Sequence, residues 1–124
     1  MARGTVLVID DERLVRWSLS ERLGQRGYEV IEAATGRQAL EAAAKFNEHP
    51  VVILLDLRLP DVDGMSLLQS LHSEHPTCPV IVISAHATPE ISEWARELGA
   101  SHVTGKPFDL DEVETLVEQS LASA

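Results

Sequence analysis

Thr5-Val-Leu-Val-Ile-Asp-Asp-Glu12 is a five-residue apolar run that ends abruptly in three acids. A continuous run this short and rich in Val and Ile reads as a strand buried on both faces, the kind found at the centre of a parallel sheet. Two more stretches read the same way, Val51-Val-Ile-Leu-Leu55 and Val80-Ile-Val-Ile83. Helical spacing fills the gaps: Leu14, Val15, Leu19 and Leu23, then Ala39, Leu40 and Ala43, then Leu67, Leu68 and Leu71. Gly27-Tyr28 opens a weaker strand through Ile31, and Pro89 starts a helix that runs to Leu98 and stops at Gly99. Asp109 caps a last helix from Leu110 to Leu121, with the stretch from Ser120 to Ala124 expected as a fraying tail. Strict alternation of five strands with five helices predicts an α/β fold, a doubly wound parallel sheet in the order 2-1-3-4-5 with helices on both faces.

The chain of 124 residues is long enough for one core and too short for two, so residues 1–124 are expected to form one domain. No apolar run approaches the eighteen or so residues of a membrane span, and Met1-Ala2-Arg3-Gly4 has no secretory character. A cytoplasmic address away from membranes is the expectation. Cys78 is the only cysteine, which excludes an intrachain disulfide and a thiolate zinc cluster. Twenty acidic residues against ten basic ones give a net charge of -10, a field that repels a phosphate backbone, so no nucleic-acid binding is expected of this domain alone.

Each buried run is followed by a polar residue that burial does not explain. Asp10 and Asp11 follow the first strand, Asp56 the third, Ser84 the fourth and Lys106 the short fifth. Ligands of such sheets sit at the carboxyl ends of the strands where the winding reverses, here beside the first and third. Three carboxylates brought together there repel one another unless a cation sits among them, and an all-oxygen set suits Mg²⁺. An aspartate can also act as nucleophile in phosphoryl transfer, with Mg²⁺, Lys106 and the Ser84 hydroxyl neutralising the transferred oxygens. Taken singly the same residues have plainer readings: Asp10-Asp11 as caps of the first helix, Asp56 or Ser84 as turn residues, Lys106 as a surface lysine. Their joint spacing favours the site. The histidines His49, His72, His75, His86 and His102 lack zinc-site spacing and read as surface residues, except His86 near Ser84, while Trp17 and Trp94 read as packing residues.

Over essentially its whole length the chain resembles the response-regulator receiver family, through Val8-Ile-Asp-Asp-Glu12, Asp56-Leu-Arg-Leu-Pro60 with Gly64, Ser84-Ala85 and Lys106-Pro107-Phe108. Arg16-Trp17 and Ser84-Ala85-His86 make it most similar to receivers of the NtrC-like, enhancer-binding activator class. The resemblance implies a flavodoxin-like (βα)5 fold and a phosphorylation switch: Asp56 takes a phosphoryl group from a histidine kinase, and the output is transcriptional. It implies that Asp11, Asp56 and the backbone carbonyl of Arg58 ligate Mg²⁺, with Asp10 acting largely through metal-bound water. It further implies phosphate contacts from Lys106 and Ser84, a cis peptide before Pro107, and a homodimer or output-domain contact through the 89–121 face. Arg58 and His86 occupy positions that tune dephosphorylation, Arg58 as a shield and His86 as a proton acceptor. The pattern departs at Val103, where the family often carries an aromatic ring, so output is expected to rest on backbone movement after Ser84 and around Val103, or on a different side chain such as His102.

Two other activities share parts of this constellation. A phosphatase of the haloacid-dehalogenase type places a second Asp two residues after its nucleophile, where this chain has Arg58. A flavodoxin-like electron carrier needs a phosphate-binding first loop, which Asp10-Asp11-Glu12 would oppose. A receiver that has lost its chemistry, kept only as an interaction module, is disfavoured by the intact acids and Lys106.

Overall fold

The computed structural model describes residues 3–46 and 51–123. The elements alternate as β1 Thr5–Ile9, α1 Arg13–Gln25, β2 Glu29–Ala33, α2 Gly36–Ala43, β3 Val51–Asp56, α3 Gly64–Glu74, β4 Val80–Ser84, α4 Pro89–Glu97, β5 His102–Gly105 and α5 Leu110–Ser123. All pairings are parallel, and the sheet order is β2-β1-β3-β4-β5, as the alternation predicts.

The period of two along each strand divides the apolar residues between two cores. Leu7, Ile9, Ile53, Leu55, Val80 and Val82 meet α2, α3 and α4 on one face, through side chains such as Ala39, Leu68 and Ala95. Val6, Val8, Val52, Leu54, Ile81 and Ile83 meet Leu19 and Leu23 of α1 and Val113 and Val117 of α5 on the other. Because every residue of β3 and β4 is buried, these strands carry no solvent face, which is why they read as unbroken apolar runs.

Several elements differ from the sequence expectation. The second strand begins later and runs further than Gly27 to Ile31, starting after Gly27 turns the chain at φ +93°. The last helix continues to Ser123: Val113, Val117 and Ser120 recur at helix spacing and are all buried, so the start of the expected tail is helical and packed at Ser120, while Ala124 lies outside the described residues. Leu14, Leu40, Trp17 and Trp94 are exposed rather than core. On α1, with about 100° per residue, Leu14 lies about 140° and Trp17 about 160° from Leu19, on the outer side of the helix. His75 is partly buried with its ring edge-on to Phe46, and His102 is also partly buried, whereas His72 and His86 are exposed. His49 lies outside the described residues.

The loop after β3 is tied down at both ends. Gly64 opens α3 so close to Leu57 that a Cβ would overlap the Leu57 backbone, and a Cβ on Gly36 would overlap the Val62 side chain. Asp61 accepts hydrogen bonds from the Gly36 and Arg37 N–H groups at 2.8 and 3.0 Å, bonds that hold its carboxyl below the usual range. The loop that carries Arg58 is thus strapped to the start of α2. Across the molecule, Arg22 of α1 and Arg26 just after it pair with Glu114 of α5, and Arg22 with Asp111 as well.

Candidate functional site

The parallel register brings the carboxyl ends of β1, β3, β4 and β5 to one edge, and the polar residues expected there converge. Asp10 follows β1, Asp56 is the last residue of β3, Ser84 the last of β4, and Lys106 follows β5. Asp10, Asp56 and Ser84 are all buried, and Asp11 and Glu12 are exposed at the rim. One carboxylate oxygen from each of Asp10, Asp11, Glu12 and Asp56 lies within 4.8 Å of the other three.

Lys106 sits among them. Its ammonium donates to Asp10 Oδ2 at 2.8 Å, to Asp56 Oδ2 at 3.2 Å and to Glu12 Oε1 at 3.2 Å. Burial acts against the charge on Lys106, but the hydrogen bond and charge of Asp10, together with Asp56, outweigh it and hold the lysine above its ordinary pKa. For Asp10 burial dominates, and with the neighbouring Asp56 charge it raises the carboxyl above the ordinary value despite the hydrogen bonds from Lys106 and from the Glu12 N–H at 2.8 Å. The plainer reading of Asp10-Asp11 as caps of the first helix is not what forms: the cap residue of α1 is Glu12, whose side chain makes no capping bond.

The backbone around the site is pinned by its own polar groups. Asp56 Oδ1 accepts from the Arg58 N–H at 3.1 Å, and Ser84 Oγ accepts from the His86 N–H at 3.1 Å. The Lys106 N–H donates to the Ser84 carbonyl at 2.9 Å, and the Lys106–Pro107 peptide is cis. Arg16 donates to the Asp10 carbonyl at 2.8 Å and pairs with Glu32 at 3.3 Å, a bracing role that its sequence position gave no sign of. Arg58 Nη2 and His86 Nε2 lie 3.2 Å apart. Guanidinium only donates, so Nε2 is the acceptor in this bond, and the proton-accepting role expected of His86 is available only when the pair opens. Val103 lies mid-way along β5 beside Val82 and packs partly buried against the α3 side of the core.

A cavity of about 390 Å³ opens at this edge, lined among others by Asp56, Arg58, Met65, Ser84, His86 and Trp94. A larger one, about 680 Å³, lies at the opposite end of the sheet around Cys78 and His102, and among the described residues no carboxylate, lysine or arginine lines it. The smaller cavity is the one that Asp56 and Ser84 reach.

The family model described as the response regulator receiver domain matches residues 6–118. The chain belongs to the response regulator receiver family. The receiver is 38% identical over 122 residues to the DNA-binding transcriptional regulator NtrC of Escherichia coli (strain K12), covering 98% of this chain and 26% of that protein. It is 33% identical over 121 residues to sporulation initiation phosphotransferase F of Bacillus subtilis (strain 168), covering 98% and 96%. The receiver thus spans about a quarter of the first relative and nearly all of the second. Among solved structures it superimposes on the beryllofluoride-activated NtrC4 receiver domain dimer with a TM-score of 0.86, at 32% identity over 96% of this chain and 97% of that one. The receiver domain of NtrX from Brucella abortus gives 0.87 at 31% identity, covering 96% and 99%. Receivers are components of two-component signalling that bind Mg²⁺ at an acidic pocket, and this receiver has one. Among the described residues no helix is long and apolar enough to cross a membrane.

Proposed function

We propose that this receiver accepts a phosphoryl group from a histidine kinase on Asp56, with Mg²⁺ held by Asp11, Asp56 and the Arg58 backbone carbonyl and by Asp10 through water. The observation that carries this reading is the convergence of Asp10, Asp11 and Asp56 on one sheet edge with Lys106 between them. When bound, the metal supplies positive charge to the carboxylates and to the phosphoryl oxygens. An Asp56 carboxylate oxygen attacks phosphorus, the bond to the kinase imidazole nitrogen breaks, and the imidazole departs with the bonding pair. Lys106 transfers its hydrogen bonds from carboxylate to phosphoryl oxygen, and the Ser84 hydroxyl, now engaged by the His86 N–H, reaches the phosphoryl group from the next strand. The protein performs this chemistry only on itself, as a switch. Acetyl phosphate with Mg²⁺ should add one phosphoryl mass to the intact chain, and EDTA should prevent it; equal labelling with and without divalent metal would refute the role of the acidic cluster.

Arg58 and His86 bear on how long the acyl phosphate lasts. Both line the cavity that Asp56 lines and they are bonded to each other, and in this reading the pair forms the closure that a water in line with the leaving carboxylate has to pass. Removing either partner opens the same closure. Arg58→Ala and His86→Ala should each shorten the phosphorylated lifetime, and the double variant should decay no faster than the quicker single one, because the two act as a unit. Decay of phosphorylated protein after donor removal measures this, and additive effects would contradict it.

The output face lies within residues 89–121, where β5 pairs with β4 so that Gly105 lies beside Ser84 and Lys106 follows into the site. With Val103 in place of an aromatic side chain, backbone movement of β4–α4 transmits the change to a homodimer contact or an output domain that controls transcription. Sedimentation with and without beryllofluoride should report a shift from monomer toward dimer, and an unchanged mass would rule out dimerisation as the output.

A further inference from the structure

Glu12 stands one residue beyond the acidic pair, and its role is set by what it touches. Its side chain is 62% exposed, yet its carboxylate reaches the Lys106 ammonium at 3.2 Å, while Lys106 itself is only 14% exposed. The same ammonium holds Asp10 and Asp56, so one cation serves three carboxylates. Two of those three are groups a divalent metal needs, and two cations cannot share oxygens at such separations without strong repulsion. The lysine backbone is fixed by its N–H bond to the Ser84 carbonyl, which leaves the side chain to move. Glu12 is fixed in turn through its backbone N–H on Asp10 Oδ1, and it is the carboxylate outside the buried pair that Lys106 already contacts.

We propose that Glu12 is a positioning residue that receives the Lys106 ammonium when metal displaces it from Asp10 and Asp56, so that Glu12 sets metal affinity through the lysine and not as a ligand. This rests on the reading of the acidic cluster as the Mg²⁺ site. Loss of Glu12 leaves the displaced ammonium without a partner at the rim of a partly desolvated site, and metal binding becomes weaker.

The test is a double-mutant cycle on Mg²⁺ affinity, measured by titration calorimetry on the whole chain with circular dichroism as the check on folding. Glu12→Gln should weaken Mg²⁺ binding about fivefold in the parent, the effect of one lost partly buried ion pair. Lys106→Met should tighten binding by removing the competing cation, and in that background Glu12→Gln should change affinity by less than about twofold, the residual field of a screened surface charge. An equal loss in both backgrounds would make Glu12 a ligand and overturn the proposal, as would no loss in the parent. Absence of Mg²⁺ binding by the parent, or binding unaltered by Asp11→Asn, would instead overturn the metal site on which the proposal rests.

Discussion

Asp56→Asn, given acetyl phosphate and Mg²⁺, gains no phosphoryl mass, while the parent is labelled under the same conditions. An amide nitrogen has its lone pair delocalised and an amide oxygen carries no full charge, so neither replaces carboxylate as a nucleophile toward phosphorus. Folding is not the reason for the loss. Asp56 is buried at the end of β3, but its Oδ1 accepts from the Arg58 N–H, a bond an asparagine oxygen also accepts, and its charge was one of several competing for a single lysine. The variant should therefore melt within a few degrees of the parent. Removing one of the repelling carboxylates should also reduce, without abolishing, its stabilisation by Mg²⁺. Labelling of the variant at the parental rate would move the nucleophile elsewhere.

Lys106→Met has the second large effect, this time on stability. With the lysine present, buried Asp10 and Asp56 share an internal counter-ion; with methionine they face each other unpaired. Breaking a buried ion pair from one side costs about 1–3 kcal/mol for a site open to water at its rim. In EDTA near neutral pH the variant should lose about that much in urea unfolding. The deficit should shrink in acid. Asp10 already titrates above the ordinary aspartate value because of its burial, so its folded form prefers the proton, and stability is gained as pH falls through that raised range toward the unfolded value. Saturating Mg²⁺ should recover stability by the same logic, since the metal replaces the missing charge. A deficit that is flat with pH and indifferent to Mg²⁺ would mean that Lys106 contributes packing alone.

The sequence carries the sheet more completely than it carries the site. Buried strands such as Val51–Asp56 have no solvent face, so their apolar runs are visible without any tertiary information, and a strict alternation with five helices leaves few topologies. The placement of Asp10, Asp56, Ser84 and Lys106 follows from that topology, because each ends a parallel strand. What stays hidden is side-chain choice among neighbours distant in the chain: the Glu12–Lys106 and Arg58–His86 contacts span 94 and 28 residues and exist only once the strands are in register. Helix faces are intermediate. The outward position of Trp17 follows from its angle to Leu19, yet hydrophobicity alone reads it as core, and at the C-terminus buried Ser120 carries the helix past a stretch that composition marks as a tail.

The most direct measurement is where the phosphoryl group sits. Borohydride reduces an acyl phosphate to the alcohol, so an aspartyl phosphate becomes homoserine at the labelled position, and peptide mass spectrometry then locates it. After reaction with acetyl phosphate and Mg²⁺, the peptide containing Val51 to Pro60 should carry homoserine at position 56 and at no other aspartate. Homoserine at Asp61 or Asp63, or none anywhere in a chain that has gained phosphoryl mass, would contradict the account.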